Sequence, residues 1–285
     1  MRAPAKTAVL VTHTQPATTR EAVRAAAEAA ARAGVRLVAT PSEHAKHGDA
    51  AAGLERVEEH PADTDLCLVL GGDGSILHAL RTFAGTEVPV FGINFGTIGF
   101  LAASEREELD TALQRAFSGD FDVMTLPGLE LGLDGERPVA LNDVTFVRKQ
   151  HGRVAELSYR LADEEVGHVR CDGLVVATPA GSTGYNLANA GPILAWGVEG
   201  YVVSFIAPHT LTARALVVAP DDVLHVLNGA DREPVEIELD GDHCSQLQPG
   251  EEVEVRFRHD VGRLAQYAGA NFYHRIREKF GRLAR

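Results

Sequence analysis

The most informative segment of the sequence is Leu66-Cys67-Leu68-Val69-Leu70-Gly71-Gly72-Asp73-Gly74-Ser75. It begins as an uninterrupted apolar run, which is typical of a strand buried on both faces of a parallel sheet. Glycines at its end let the main chain turn and leave room for a ligand beside the backbone. N–H groups at the start of a following helix would bind an anion. The stretch therefore predicts that a carboxylate suited to a kinase, Asp73, lies in a phosphate loop formed by Gly71, Gly72, Gly74 and Ser75.

The composition of the chain limits its class. Its 285 residues allow two domains, and 45% hydrophobic and 24% charged residues are ordinary for a globular protein. A net charge of −13 argues against nucleic acid and anionic membranes as partners, but not against a nucleotide at a locally positive site. Three widely spaced cysteines, the absence of a signal-peptide core and the absence of a membrane-length apolar stretch predict a cytoplasmic protein.

In the N-terminal part of the chain, predicted strands alternate with predicted helices, which indicates a parallel α/β sheet. The expected strands are 8–12, 35–39, 66–70 and 88–93. Capping-box spacing predicts one helix that opens at Thr18 to Glu21 and ends at Gly34, and another that follows Ser104 to Glu107 and runs to Phe117. Further helices are expected at 50–60 and 75–83.

In the C-terminal part the pattern changes to an alternation of apolar and charged residues with a period of two. Clear examples are 235–239 and 253–257, and Asp-Gly and Asn-Gly turn signals recur between such runs. This pattern predicts an antiparallel β domain, followed by an amphipathic helix from Asn271 to Leu283. We therefore expect one domain at 1–123 plus 270–285 and a second at 124–269.

Two further segments suit a nucleoside. In the first, from Cys171 to Pro192, an apolar strand is followed by a loop rich in glycine and hydroxyl groups, with one aromatic residue, Tyr185. Such residues can surround a flat base with a ribose attached. The second is the pair Asn142-Asp143, whose side-chain oxygens can accept hydrogen bonds from a diol.

Taken in order, these motifs resemble those of the NAD kinase family. The resemblance covers nearly the whole chain and rests on Gly71 to Ser75, Gly92 to Phe100, Asn142-Asp143, Asp172 to Pro192, Pro208 to Leu211 with Arg214, Asp240-Gly241, and Phe272-Tyr273 with Arg277-Glu278-Lys279. The chain departs from the usual family pattern at Ser75, Gly184, Ala188 and Asp242.

The resemblance implies a fold and a reaction. The fold would be an α/β N-terminal domain with a parallel sheet plus a β-rich, antiparallel, sandwich-like C-terminal domain. The reaction would transfer a phosphoryl group to the 2′-hydroxyl of the adenosine ribose of NAD, giving NADP. The donor would be ATP with a divalent metal, expected to be Mg²⁺, or inorganic polyphosphate. The family also implies a homodimer or homotetramer, and we assign no protein residue as a metal ligand.

The resemblance also implies roles for individual residues. Asp73 would be the general base or would orient the 2′-hydroxyl, and Gly74 would allow close backbone approach. Asp172 would contact the substrate across a subunit contact. The remaining residues expected to bind NAD are Asn142 and Asp143 at the ribose or nicotinamide side, Thr183, Gly184, Tyr185, Asn186, Leu187 and Ala188 around the adenine, and His78, Arg153, Arg170 and Ala207 by position, with both arginines suited to the pyrophosphate.

Other interpretations stay open. Asp73 also suits a helix cap, and Asn142-Asp143 and Asp172 also suit turns. The Gly-Gly-Asp-Gly element occurs in 6-phosphofructokinases and, in related form, in lipid kinases, although neither accounts for 172–192. A non-catalytic dinucleotide-binding regulator on the same fold is an alternative that Ala188 and Asp242 would favour.

Overall fold

The computed structural model describes residues 2–96, 99–133, 135–149 and 154–281. The chain forms two compact units. Unit 1 comprises Met1–Thr125 and Gly262–Arg285, and unit 2 comprises Leu126–Val261. Within the described ranges, no helix has the length and apolar character needed to cross a membrane.

Unit 1 is built on a parallel sheet. Its strands are β1 (Thr7–Thr12), β2 (Arg36–Ala39), β3 (Glu55–Arg56), β4 (Leu66–Gly71), β5 (Val90–Asn94) and β6 (Ser104–Glu105). The order β5-β4-β1-β2-β3 is parallel throughout, and both β6 and Leu264 pair in parallel with β5. Every residue of β4 is buried, as the opening apolar run predicted.

Unit 2 is antiparallel. The strands that begin in it or extend into it are β7 (Asp122–Gly132), β8 (Val139–Ala140), β9 (Asp143–Arg148), β10 (Ala155–Leu161), β11 (Glu164–Cys171), β12 (Gly173–Ala177), β13 (Tyr201–Ile206), β14 (Leu216–Val218), β15 (Leu224–Asn228), β16 (Val235–Leu239), β17 (Asp242–Leu247) and β18 (Glu252–Gln266). One sheet has the order β14-β13-β12-β9-β16-β17, and β11-β10-β15-β18 form the other. Leu157, Phe146 and Tyr201, which are fully buried, belong to one core cluster that draws on both sheets. The sandwich-like prediction is confirmed.

The helices are α1 (Pro16–Ala33), α2 (Pro41–His47), α3 (Asp73–Thr82), α4 (Leu109–Ser118), α5 (Tyr185–Ala188) and α6 (Phe272–Phe280). Alanine-rich α1 buries Ala22, Val23 and Ala26 in the core cluster of unit 1, which also contains Leu68 and Phe91. Because β4 and β5 are apolar on both faces, helices can cover the sheet and leave its carboxyl edge free for chemistry.

Three local predictions are wrong. The expected capping box does not open α1, because Pro16 at the first turn begins the helix and Thr18 lies inside it. The expected helix at 50–60 is absent, since Gly48–Ala51 form a 3₁₀ turn and Glu55–Arg56 pair with β2 instead. There, strand pairing overrides local helix propensity.

The second predicted capping box also fails. Ser104 and Glu105 extend alongside β5 as β6, and α4 begins only at Leu109. The Ser104 hydroxyl donates to Glu108 Oε2 at 2.9 Å, one position beyond the expected Glu107. Pairing with the neighbouring strand holds these residues in an extended conformation that a capping pattern alone does not foresee.

Candidate active site

The predicted phosphate loop forms where β4 runs into α3. Gly72 is extended, with φ −92° and ψ −173°, and its carbonyl accepts from Ser75 N at 2.9 Å and Ile76 N at 3.1 Å. A Cβ on Gly71 would lie 2.5 Å from Ser75 Oγ, so glycine is required there. Gly74 is exposed and a Cβ on it would meet nothing within 4 Å, which leaves its backbone open to a ligand.

Asp73 is held by the main chain of a second segment. Its Oδ2 accepts from Phe100 N at 2.7 Å and its Oδ1 from Leu101 N at 3.0 Å. A Cβ on Gly99 would collide with Oδ1, so this approach requires glycine. A carboxylate offers about four acceptor positions, so a substrate hydroxyl still has two to use. The side chain is thus both anchored and able to receive a proton.

The glycine-punctuated loop after β5 lies against the same turn. Asn94 is buried, its Oδ1 accepts from Gly96 N at 3.0 Å, and its Nδ2 donates to Glu105 Oε2 at 2.8 Å. A Cβ on Gly96 would stand 3.3 Å from Gly72 Cα, so the two glycine turns are in close contact. Residues 97 and 98 of this loop lie outside the described residues.

In unit 2, the predicted Asn142-Asp143 pair is held by Asp240. Its carboxylate accepts from the three consecutive amides of Leu141, Asn142 and Asp143, at 3.0, 2.6 and 3.1 Å. Asp240 itself has a left-handed backbone with φ 52°, a conformation that aspartate tolerates better than most residues. We call these three hydrogen bonds the Asp240 clasp. Because they fix the main chain at the start of β9, they orient the side chains of Asn142 and Asp143.

Asp143 is a buried acid among acids. It is 7% exposed, and burial together with the charges of Asp240 and Glu238 raises the pKa of its carboxyl to about 7. The side chain therefore carries its proton over part of the neutral pH range. In that form it donates as well as accepts a hydrogen bond, which suits a ribose hydroxyl.

The loop predicted to surround a base forms a 3₁₀ turn, Gly181–Thr183, followed by α5. Gly181 packs directly on the main chain of Asn142. Asn186 is fully buried, and its Nδ2 donates to the carbonyls of Ser182 and Pro192, both at 2.9 Å. It therefore supports the turn from inside.

Tyr185, in contrast to the buried Asn186, is exposed to solvent. It is 41% exposed, which leaves its ring accessible to a flat ligand. Partial burial, and after it the charges of Glu238, Asp143 and Asp172, raise the pKa of its hydroxyl. Asp143 and Asp172 lie at opposite ends of the pairing between β9 and β12, since Asp143 is opposite Ala177 and the carbonyl of Asp172 accepts from Arg148 N.

Asp172 lies beside Arg148, at the end of β9 away from Asp143. Arg148 Nε lies 2.7 Å from Asp172 Oδ1, and Asp172 N donates to Ile206 O at 2.9 Å. Arg170 is exposed and pairs with Glu156 at 3.2 Å.

Three other residues are predicted to contact NAD by their position in the sequence: Ala207, His78 and Arg153. Ala207 has a left-handed backbone with φ 43°, unusual for alanine. In unit 1, His78 is exposed on α3. Arg153 lies outside the described residues. Contact of any of these with NAD stays a prediction.

Two residues that matter to this geometry escaped sequence reasoning. Asp240 belongs to a shared motif and to an Asp-Gly turn signal, and Gly99 belongs to a glycine-punctuated loop. Neither has a local signal for its role, because each acts on a residue far away in the chain. A shared sequence pattern can mark such positions as unusual without saying what they contact.

Comparison with known proteins identifies the class of this fold and site. A family model described as the ATP-NAD kinase N-terminal domain matches residues 6–121, and one described as the ATP-NAD kinase C-terminal domain matches residues 141–261. The two matches cover most of both units. They define a two-domain nucleotide phosphotransferase fold.

Relatives agree with this class. An NAD kinase from Symbiobacterium thermophilum is 34% identical over 255 residues, covering 86% of this chain and 90% of the relative. The chain belongs to the NAD kinase family.

Solved structures share the fold. A yeast NADH kinase complexed with NADH superposes with a TM-score of 0.87 at 22% identity, covering all of this chain (100%) and 90% of that one. An NAD kinase from Archaeoglobus fulgidus in complex with ATP has a TM-score of 0.72 at 23% identity, covering 96% and 97%. At such identities the likeness concerns the fold.

Proposed function

We propose that this protein transfers the terminal phosphoryl group of ATP to the 2′-hydroxyl of the adenosine ribose of NAD, producing NADP. The observation that carries the proposal is Asp73, anchored by two main-chain amides beside a glycine turn at a helix start, in a chain of the NAD kinase family. Pure phosphate binding has no need for a carboxylate in that position, whereas a transferase uses one to receive the acceptor's proton.

The chemistry follows from this arrangement. The ribose 2′-oxygen forms a bond to the γ-phosphorus while the bond from that phosphorus to the β-bridging oxygen breaks, so the nucleoside diphosphate leaves. The 2′-hydroxyl proton passes to a free lone pair of Asp73. Because phosphoryl transfer has a loose transition state, orientation of the hydroxyl contributes more than early proton abstraction. The N–H groups at the start of α3 would stabilise the phosphate oxygens.

The acceptor would be held by residues of unit 2. Asn142 and Asp143 are oriented by the Asp240 clasp to hold ribose or nicotinamide-side groups, and exposed Tyr185 offers a wall for the adenine. We extend the same proposal to Gly74, His78, Arg153, Arg170, Asp172, Thr183, Gly184, Asn186, Leu187, Ala188 and Ala207 as NAD contacts. Asn186 would act through the turn that it supports.

The metal expected with ATP would be held mainly by the nucleotide. In the ranges that the structure describes, no group of three or more His, Cys, Asp or Glu side chains is arranged to hold a metal ion. Mg²⁺ does not require such a group, because it retains water and binds through substrate phosphates with at most one or two carboxylates. When bound, Mg²⁺ would neutralise charge on the donor phosphates.

Three further features belong to the proposal. Inorganic polyphosphate is the alternative donor, a homodimer or homotetramer is the expected assembly, and the cytoplasm is the expected location. The family resemblance supports the first two, and the three widely spaced cysteines support the third.

The alternatives make different predictions. A binding regulator on this fold would bind NAD without transferring a phosphoryl group, and the retention of Asp73 argues against it, because binding alone does not need a carboxylate beside the phosphates. A sugar kinase would need a phosphorylated sugar as acceptor.

One assay separates these functions. Pure protein is incubated with Mg²⁺ and either ATP or polyphosphate, with NAD or fructose 6-phosphate as acceptor, and NADP and ADP are quantified by chromatography. We expect NADP from NAD. NAD binding without NADP from either donor would identify a binding module, and phosphorylation of fructose 6-phosphate alone would identify a sugar kinase.

A further inference from the structure

The last helix, α6, contacts the segment 100–102, whose first two amides donate to Asp73. Arg275, on α6, donates from Nη1 to the carbonyls of Phe100 at 2.9 Å and Ala102 at 2.6 Å. Its Nη2 donates to Gln266 Oε1. One guanidinium group thus binds two carbonyls of the segment and the side-chain amide of Gln266, in a fixed planar fork that an ammonium group lacks.

The peptide group between Phe100 and Leu101 is bound at both ends. Its carbonyl oxygen accepts from Arg275, and its N–H donates to Asp73 Oδ1 at 3.0 Å. Opposite charges at the two ends of one peptide polarise it, so each hydrogen bond strengthens the other. The following carbonyl, that of Leu101, accepts from Gln266 Nε2 at 2.8 Å, which closes a ring of contacts around the segment.

The charges around Arg275 fit this arrangement. Burial lowers the pKa of its guanidinium, while Asp73, then Glu105 and Glu278, oppose that shift. A guanidinium group stays protonated in proteins, so a permanent positive charge lies one peptide group away from Asp73.

Side chains of α6 also pack against the ring of Phe100. The ring of Phe100 lies 6.5 Å from that of Phe272 and 5.7 Å from that of Phe280, measured between centroids. Lys279 Nζ lies 4.4 Å from the centroid of the Phe100 ring. The segment is therefore held by α6 through its side chain as well as its carbonyls.

A second arginine on the same helix provides a contrast. Arg277, which belongs to the motif singled out in the sequence, is exposed and lies 3.3 Å from His274 Nδ1 on the surface. The residue that reaches the Asp73 segment is instead Arg275, which no motif marked. The two side chains have the same chemistry and the same helix, but only one has contacts that lead to the proposed catalytic carboxylate.

We infer that Arg275 is a positioning residue of the phosphoryl-transfer site, which fixes the direction of the Asp73 carboxylate through the peptide group between them. This inference rests on the proposed function of Asp73. Removal of Arg275 leaves the carbonyls of Phe100 and Ala102 without their charged donor, so the segment and the two amides on Asp73 shift. A displacement of about 1 Å can lower a rate on the order of 100-fold.

The test compares Arg275→Met with the matched control Arg277→Met, both in the full-length protein. The measurements are kcat and KM for NAD at saturating ATP, together with Tm. We expect Arg275→Met to lower kcat by about 10- to 100-fold while KM changes less than about 3-fold, because the groups that bind NAD are intact. Arg277→Met should have wild-type constants.

A second readout does not depend on activity. Amide hydrogen exchange of Phe100 and Leu101 should accelerate in Arg275→Met and stay unchanged in Arg277→Met, since these amides are the donors to Asp73. If Arg275→Met does not fold, Arg275→Lys and Gln266→Met take its place under the same criteria.

The outcomes distinguish a failure of the proposed function from a failure of the positioning role of Arg275. Wild-type protein that makes no NADP overturns the proposed function, whatever Arg275 does. Active wild-type protein with an Arg275→Met kcat within about 2-fold of Arg277→Met, or with KM raised as much as kcat is lowered, overturns the positioning role. Unchanged exchange at Phe100 and Leu101 overturns it as well.

Discussion

Asp143 and Asp240 hold each other's main chain. Asp143 N donates to Asp240 Oδ1 at 3.1 Å, and Asp240 N donates to the carbonyl of Asp143 at 2.9 Å. This reciprocal pairing brings the negative charge of Asp240 near the buried carboxyl of Asp143, where, after burial itself, it contributes to a pKa of about 7. The pairing thus fixes the main chain of a residue proposed to bind NAD and adds to the effect of burial on its protonation.

The first prediction concerns pH. The pKa of Asp143 is about 7 in the folded protein and 3.8 is the ordinary value for an aspartate, so between these values the folded state binds more protons than the unfolded state. Its contribution to stability is therefore full below pH 3.8 and is lost as the pH rises through 7. At pH 8 the free energy of unfolding is lower than at pH below 3.8 by an amount on the order of 4 kcal/mol from this group alone.

Asp143→Asn removes this titration. The difference in the free energy of unfolding between Asp143→Asn and wild type, measured by urea denaturation from pH 5 to pH 8, should shift in favour of the variant as the pH rises. A difference that is constant over this range would contradict the raised pKa.

The second prediction concerns the clasp. Asp240→Ala leaves the amides of Leu141, Asn142 and Asp143 without their acceptor. The free energy of unfolding should fall by about 3 kcal/mol, because hydrogen bonds to a charged group are lost. KM for NAD should rise about 10-fold or more, since the Asn142-Asp143 pair loses its orientation. Exposed Asp231→Ala is the control, and equal KM values in both variants would contradict the clasp.

The third prediction concerns the proposed general base. Asp73→Asn keeps the size of the side chain but turns one acceptor for Phe100 N or Leu101 N into a donor, and it cannot take a proton. We expect kcat to fall by about 10²- to 10⁴-fold. Asp221→Asn, at an exposed position, should have no effect. Turnover near the wild-type rate in a folded Asp73→Asn protein would rule out the assigned role.

The fourth prediction concerns the space beside Asp73. A Cβ on Gly99 would collide with Asp73 Oδ1, so Gly99→Ala should push the carboxylate aside and lower kcat about 10-fold or more. At Gly197, which is exposed, a Cβ would meet nothing within 4 Å, and Gly197→Ala should be neutral. Steady-state kinetics on the pair tests this, and equal activity would show that the segment accommodates the methyl group.

Long and strongly patterned segments were predictable. The apolar run ending at Gly71, the alternation in 235–239 and the motif order were sufficient for the two-domain fold. Segments with mixed signals were not. Residues 50–60 have helix-forming composition, yet Glu55–Arg56 extend because a strand partner, β2, lies beside them. That partner is set by the fold rather than by neighbours in the chain.

The candidate site likewise has features that the sequence predicts and contacts that it does not. The sequence alone predicts the residue types of the site and the positions of its glycine turns, because the extended Gly72 and the start of α3 at Asp73 follow from local backbone geometry. Folding is required to bring Phe100 and Leu101 to Asp73, Arg275 rather than Arg277 to this segment, and Asp240 to the amide of Asn142. These contacts join residues distant in the chain, and their strength depends on burial and charge that exist only after folding.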